Sequence, residues 1–297
     1  MGLRINPDTT QNLLATLQKT TQIQNDILQR FASGQRVNDL GKDPVAVAQL
    51  VLNRGDVKNA DQFIRNISSI RSRLEAADGA LNNAIIVMTR AISLGTQGAN
   101  GTLSPANRDA IAIEIDTLRD QLLALANTSF RGVYLFAGTA VDVQPFVLDG
   151  AQPSGIRYDG NINVNDIEIT EGQMLQVQVP GSQIFADAAA DLFGALTDLS
   201  VALRTDTNVA ATVDQIGVAF RHLNAERAFY GTTLASLNNS EAFLDREKIQ
   251  LRQRENDLVA DDFAASASEF TSAETARNAI LAVGSRISQL SLFDFLR

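Results

Sequence analysis

Ile67-Ser68-Ser69-Ile70-Arg71-Ser72-Arg73-Leu74-Glu75-Ala76-Ala77-Asp78-Gly79-Ala80-Leu81-Asn82-Asn83-Ala84-Ile85-Ile86-Val87-Met88 is the stretch that decides the fold. Its apolar residues Ile67, Ile70, Leu74, Ala77, Leu81, Ala84 and Met88 alternate steps of three and four, which aligns them on one face of a helix as a coiled-coil seam. Such a seam is stable only against a second one. Downstream, Ser104-Pro105 pairs an N-cap with a proline at the first helical position, ahead of Ile111, Ile115, Leu118, Leu122 and Leu125 at the same spacing. Upstream, Asp43-Pro44 gives the same start signal before Val45, Val47, Leu50 and Val51. Far along the chain, Phe220, Leu223, Tyr230, Leu234, Leu237, Leu244, Leu251 and Leu258 form another long stripe, with polar gaps at Arg227, Glu241, Lys248 and Glu255. These helices are expected to pack as a long bundle.

The two ends read as helices without a complete partner. Asn6-Pro7 starts the first, whose Leu13, Leu14, Leu17, Ile27, Leu28 and Phe31 are interrupted by Thr20, Thr21 and Gln24. From Asp261 onward Phe263, Ala267, Phe270, Ala273, Ala276, Ile280, Val283, Ile287 and Leu290 form a stripe rich in small residues, ending in Leu292-Phe293-Asp294-Phe295-Leu296. An apolar face of that extent calls for something to cover it.

Between the arms the composition changes. Three of the six prolines (Pro145, Pro153, Pro180) and Gly150, Gly155, Gly160, Gly172 and Gly181 fall between Val141 and Ala190, and both residue types break helices and make turns. Ile156-Arg157-Tyr158, Ile167-Glu168-Ile169 and Leu175-Gln176-Val177-Gln178-Val179 alternate apolar with polar, as half-buried strands do. The expected fold is therefore mainly α with a small β insert. Residues 1–42 with 258–297 form terminal coiled-coil helices, 43–140 with 190–257 a helical bundle, and 141–189 a β-rich insert. Ordering costs about 1–2 kcal/mol per residue in backbone entropy, so the terminal helices are expected to stay disordered until a partner covers them.

Composition removes several classes of function. The 297 residues carry a formal net charge of -9, which disfavours nucleic-acid binding. No run approaches the roughly 18 apolar residues of a membrane span, and the first residues lack the apolar core of a cleaved signal peptide. Without cysteine there is no disulfide, thiolate nucleophile or Cys-based zinc site. His222 is the one histidine, on a helix face among Phe220, Leu223 and charged residues, so a catalytic triad or His-rich metal site is not expected. Asp159-Gly160-Asn161-Ile162-Asn163-Val164-Asn165-Asp166 places oxygens at alternate positions like a calcium loop. It has Val164 where the glycine belongs and Thr170 where a bidentate acid belongs, so it reads as a turn. Asp261-Asp262 point to different sides of a helix and form no pocket. No catalytic residue, cofactor or metal is expected.

Four short segments carry a family resemblance. Leu3-Arg4-Ile5-Asn6, Ser33-Gly34-Gln35-Arg36-Val37-Asn38 with Lys42-Asp43-Pro44, Phe130-Arg131-Gly132-Val133-Tyr134-Leu135-Phe136-Ala137-Gly138-Thr139, and Gln289-Leu290-Ser291-Leu292-Phe293-Asp294-Phe295-Leu296 resemble segments of the flagellin family, the last two its hook-associated branch. Pro44 departs from the acid that many flagellins carry there. The resemblance implies a non-enzymatic structural subunit of the bacterial flagellum at the hook–filament junction, exported by the flagellar type III apparatus and extracellular. It implies self-assembly into a helical layer between another hook-associated protein and flagellin, and an export chaperone on Phe263–Leu296. The axial contacts would be Leu13, Leu17, Ile27, Phe31, Ile280, Val283, Ile287, Leu290, Leu292, Phe293, Phe295 and Leu296. The residues leave three alternatives open: a filament flagellin, a secreted coiled-coil adaptor or effector, and an enzyme within the β insert.

Overall fold

The computed structural model describes residues 7–36 and 43–295, with the backbone alone for 7–10 and 287–295. The Asn6 cap, residues 37–42 of the second segment, and Leu296 lie outside the described residues. The elements run α1 (Pro7–Ser33), α2 (Pro44–Gly98), α3 (Pro105–Ala126), β1 (Ser129–Phe130), β2 (Val133–Tyr134), β3 (Phe146–Leu148), β4 (Ile156–Tyr158), β5 (Asp166–Thr170), β6 (Gln173–Gln176), α4 (Gly181–Phe185), β7 (Ala186–Asp187), β8 (Ala190–Asp191), α5 (Leu192–Thr205), α6 (Val209–Val259) and α7 (Phe263–Phe295). Both described cap signals act as the sequence suggests. Asp43 Oδ1 accepts from the Ala46 N–H at 3.0 Å, and Ser104 Oγ accepts from the Asn107 N–H at 3.3 Å. The chain divides into two compact units, one of residues 1–59 with 247–297 and one of Ala60–Arg246.

In the Ala60–Arg246 unit the deciding seam is buried along its whole length, from Ile67 to Met88. It faces α6 residues Ile216, Ala219, Leu223, Tyr230, Leu237 and Leu244, with Phe220 and Leu234 half-buried at the edge. The polar gaps in the α6 stripe are where the two helices exchange charge. Arg227 forks onto Asp78 at 2.8 and 3.1 Å and reaches Asn82 at 2.8 Å, while Glu241 pairs with Arg71. Pairing Arg227 with Asp78 and Glu241 with Arg71 makes α2 and α6 antiparallel. On the other face α3 packs on α5, where Ser200, Arg204 and Asp116 form a closed hydrogen-bonded set with each bond 2.7 Å long.

The β segments are four separate two-stranded antiparallel ladders, β1–β2, β3–β4, β5–β6 and β7–β8. What joins them is an aromatic cluster shared with the helices. Phe146 of β3 sits 5.1 Å from Tyr158, 5.7 Å from Phe185 and 5.3 Å from Phe193, and Phe185 meets Phe136 edge-on at 5.2 Å. The insert thus shares one hydrophobic core with the bundle. One strand ends earlier than the alternation suggests: β6 stops at Gln176, Val177 keeps a last bond by donating its N–H to Asn165 O at 3.1 Å, and Val177 and Val179 are buried. Gln178 explains the exit, since its buried amide donates to the carbonyls of Leu135 (3.2 Å) and Gly138 (2.8 Å).

Asp116 gives this unit a testable pH dependence. Burial opposes its ionisation, but hydrogen bonds from Arg204 and Ser200 outweigh that and hold its carboxyl below the ordinary value. A carboxyl lowered on folding binds its proton more weakly in the folded state, so its contribution is complete above about pH 4 and lost as pH falls below that. Asp191, the N-cap of α5, is pushed up by burial and contributes with the opposite sign. Because Arg204 is partly solvated, Asp116→Asn is expected to cost about 1 kcal/mol or less at pH 7. Urea unfolding at pH 7 and pH 3 checks this: the deficit should shrink at the lower pH.

Candidate assembly surface

In the unit of residues 1–59 and 247–297, α1 and α7 lie antiparallel. Phe31 stacks on Phe263 with ring centres 5.9 Å apart, Arg30 reaches Glu269 at 2.9 Å, and a Cβ on Gly284 would lie 3.1 Å from Leu13. The α1 line facing α7 is Leu13, Leu17, Thr20, Gln24, Ile27 and Phe31, stepping by four and three. Thr20 and Gln24, the residues that seemed to interrupt the helix, are its buried middle. Thr20 stays satisfied by donating its hydroxyl to the Thr16 carbonyl at 2.8 Å. Spacing alone, counted from Leu13 without regard to polarity, would have found them. The answering line on α7 is Ser266, Phe270, Ala273, Ile280 and Gly284, with Ser266 and Ala273 buried. It shares Phe270, Ala273 and Ile280 with the expected stripe, adds Ser266 and Gly284, and leaves Ala267, Ala276 and Val283 exposed.

The expected contact residues therefore divide. Ile27 is fully buried, and Leu13, Leu17, Phe31 and Ile280 are half-buried within the pair. Val283 is open, together with Leu281 beside it and Leu14, Ile23 and Leu28 on the outer side of α1, each 43–58% exposed. The side chains of Ile287, Leu290, Leu292, Phe293 and Phe295 lie outside the described residues. At about 25 cal/mol per Å² these outward leucines, isoleucine and valine gain free energy only when another surface covers them.

Where α1 ends, two linkers meet. Gly34 closes the helix in the left-handed region (φ 67°), donating its N–H to the Arg30 carbonyl at 2.7 Å. The next residues pair with the segment joining α6 to α7: Arg36 N–H donates to Val259 O at 2.7 Å, and Asp261 N–H to Gly34 O at 3.1 Å. Arg30, flanked by Asp26, lies 3.8 Å from the nearly inaccessible Asp261 carboxylate. Arg36 forks, one nitrogen donating to Asp43 at 3.2 Å and another to the Leu258 carbonyl at 3.1 Å. The Ala46 N–H, and after it Arg36, holds the Asp43 carboxyl below its ordinary value. No local signal could reveal this meeting, since Arg36 and Leu258 are 222 residues apart.

The earlier chemical suspects are occupied structurally. His222 Nε2 lies 2.7 Å from the Gln183 carbonyl. In the calcium-like loop, Asn161 Oδ1 accepts from the Thr139 and Asn163 N–H groups, at 2.8 and 3.2 Å, and its amide donates to Thr139 Oγ1. Among the described residues no acid or histidine cluster could hold a metal, and no helix is long and apolar enough to cross a membrane.

Comparison with known proteins agrees with a helical scaffold offering surface. Residues 8–141 match the bacterial flagellin N-terminal helical region. Flagellar hook-associated protein 3 of Escherichia coli K12 is 27% identical over 90% of this chain and 90% of its own length. Polar flagellin C of Vibrio parahaemolyticus is 38% identical, but over only 41% of this chain and 32% of its own length. The crystal structure of the flagellar junction protein of Legionella pneumophila, 18% identical, superposes with a TM-score of 0.60 over 71% of this chain and 100% of that one, a likeness of fold. The N-terminal part of the chain, residues 8–141, thus carries the helical region of the bacterial flagellins, and along nine-tenths of its length the chain is similar to a structural protein of the flagellum, hook-associated protein 3.

Proposed function

We infer that this chain is a structural subunit of the bacterial flagellum, placed at the hook–filament junction. The observation that carries this reading is the difference in reach between two likenesses. Similarity to a hook-associated protein 3 spans nine-tenths of both chains, whereas similarity to flagellins spans 41% of this chain and 32% of the relative in one case and 78% and 62% in another. The filament-subunit alternative is less favoured on the same ground. The outward apolar residues of α1 and α7 are the surfaces that would join neighbouring copies in a helical layer, with Ile287–Leu296 extending the α7 contact. Flagellin on one side and another hook-associated protein on the other are the partners this reading assigns. Export by the flagellar type III apparatus and a chaperone on Phe263–Leu296 complete it; helices paired through a polar middle separate at little cost before export.

A deletion strain tests the placement. It should make complete hooks without filaments and release flagellin into the medium, while filaments still anchored to its hooks would refute the junction role. The surface is tested by Leu281→Asp with Val283→Asp. Two buried carboxylates in an interface should weaken assembly by roughly tenfold or more, with secretion unchanged, as scored by subunits retained on sheared flagella against those in the medium.

A further inference from the structure

We propose that Asn100-Gly101, in the turn between α2 and α3, is a modification site at which the chain loses the Asn100 side-chain amide and becomes aspartate or isoaspartate. Of all the asparagines in the chain, Asn100 alone is followed by glycine. Both residues are exposed. The turn is built around the asparagine side chain, as asparagine turns commonly are. Asn100 Oδ1 accepts from the Thr102 N–H at 3.3 Å and from the Thr102 hydroxyl at 2.9 Å, and the Leu103 N–H closes the turn on Asn100 O at 3.1 Å. A bond from residue 102 back to the side chain of residue 100 folds the carboxamide over the peptide nitrogen between them. That nitrogen belongs to Gly101, and among the described residues its N–H has no acceptor.

The chemistry follows from that fold. Once hydroxide takes its proton, the Gly101 nitrogen is a nucleophile, and Asn100 Cγ is the carbonyl carbon that the turn brings alongside it. Attack forms the N–Cγ bond and moves the carbonyl electron pair onto Oδ1, where both Thr102 donors already point. Donors aimed at a developing oxyanion lower the barrier to forming it. The tetrahedral centre then breaks its bond to Nδ2, which takes a proton from water and leaves as ammonia, and a five-membered succinimide remains. One water opens that ring. Cleavage at Cγ gives aspartate, and cleavage at the Asn100 main-chain carbonyl gives isoaspartate, with one more carbon in the backbone. Either product places a new negative charge close to the carbonyl end of α2, where the helix dipole disfavours it. The turn itself does not require the glycine: its φ lies outside the left-handed region, and a Cβ there would meet nothing within 4 Å.

The test incubates the purified full-length chain at neutral and mildly alkaline pH, digests samples with trypsin, and follows the peptide Ala91–Arg108 by mass spectrometry. Fragmentation separates conversion at Asn100 from conversion at Asn107, which is held in the first turn of α3. Asn100 should convert at least about tenfold faster than Asn107, to two products of equal mass that separate on chromatography. The rate should rise with pH, because the attacking nitrogen must first lose its proton. Thr102→Val, which removes the hydroxyl donor, should slow conversion by about twofold to tenfold, the weight of one neutral hydrogen bond, whereas Thr102→Ser should keep the rate. Gly101→Ala should slow it by about tenfold or more, through hindrance of the attack, at unchanged helix content by circular dichroism. Equal conversion at Asn100 and Asn107, a rate indifferent to pH, or a Thr102→Val chain that converts as fast as the unaltered one or faster would overturn the proposal. None of these readings involves assembly, so such a failure leaves the junction reading untouched.

Discussion

Phe146→Ala is expected to lower the unfolding free energy of the Ala60–Arg246 unit by about 3–5 kcal/mol, the range for removing a buried aromatic ring. The ring is fully buried and touches Tyr158 of β4, Phe185 at the end of α4 and Phe193 at the start of α5. Neighbours on three elements cannot all move inward, so the cavity persists and its cost adds to the lost transfer energy. Two-stranded ladders are marginal on their own, and this cluster is what gives them a common core with α3 and α5. Urea unfolding followed by circular dichroism should show the midpoint falling for the helices as well as the insert. A loss below about 1 kcal/mol, or one confined to the insert, would mean that the ladders have a separate core.

Gly138→Ala should be nearly as damaging, for a different reason. Gly138 has φ 66°, and a Cβ there would lie 2.2 Å from the Asn161 carbonyl oxygen and 2.3 Å from its side-chain oxygen. The oxygens cannot retreat. Asn161 is tied to Thr139 by two hydrogen bonds, and its carbonyl accepts from the Tyr158 hydroxyl at 2.9 Å. Backbone strain and displaced hydrogen bonds together should cost about 2–4 kcal/mol. Gly132→Ala is the control, because Gly132 also has positive φ, 83°, but open space where its Cβ would go. It should lose only about 1 kcal/mol. Equal losses at the two positions by urea titration would show that the close approach to Asn161 carries no penalty.

The helical part of this fold was legible because its signal is local. Caps at Asp43 and Ser104 and the step from Ile67 to Met88 need only neighbouring residues to be read, and the structure buries that line throughout. The strands were legible in alternation and less so in extent, since what ends β6 is Gln178 bonding to carbonyls some forty residues back. The pairing of α1 with α7 was legible in part. Ile27 and Phe31 face α7 as their spacing implies, but weighing polarity above period made Thr20 and Gln24 look like breaks when they are the buried centre of the pair. The linker joint is the other extreme: Gly34, Arg36, Leu258 and Asp261 carry no pattern that relates them, and only the folded chain brings them together.

The placement of the chain is tested most directly by immunogold electron microscopy of intact flagella, with antibody raised against the insert, residues 141–189. A subunit of the hook–filament junction gives gold in one short band where hook meets filament, and none along the filament. Gold spread along the filament's length would contradict that placement and make the chain a filament subunit.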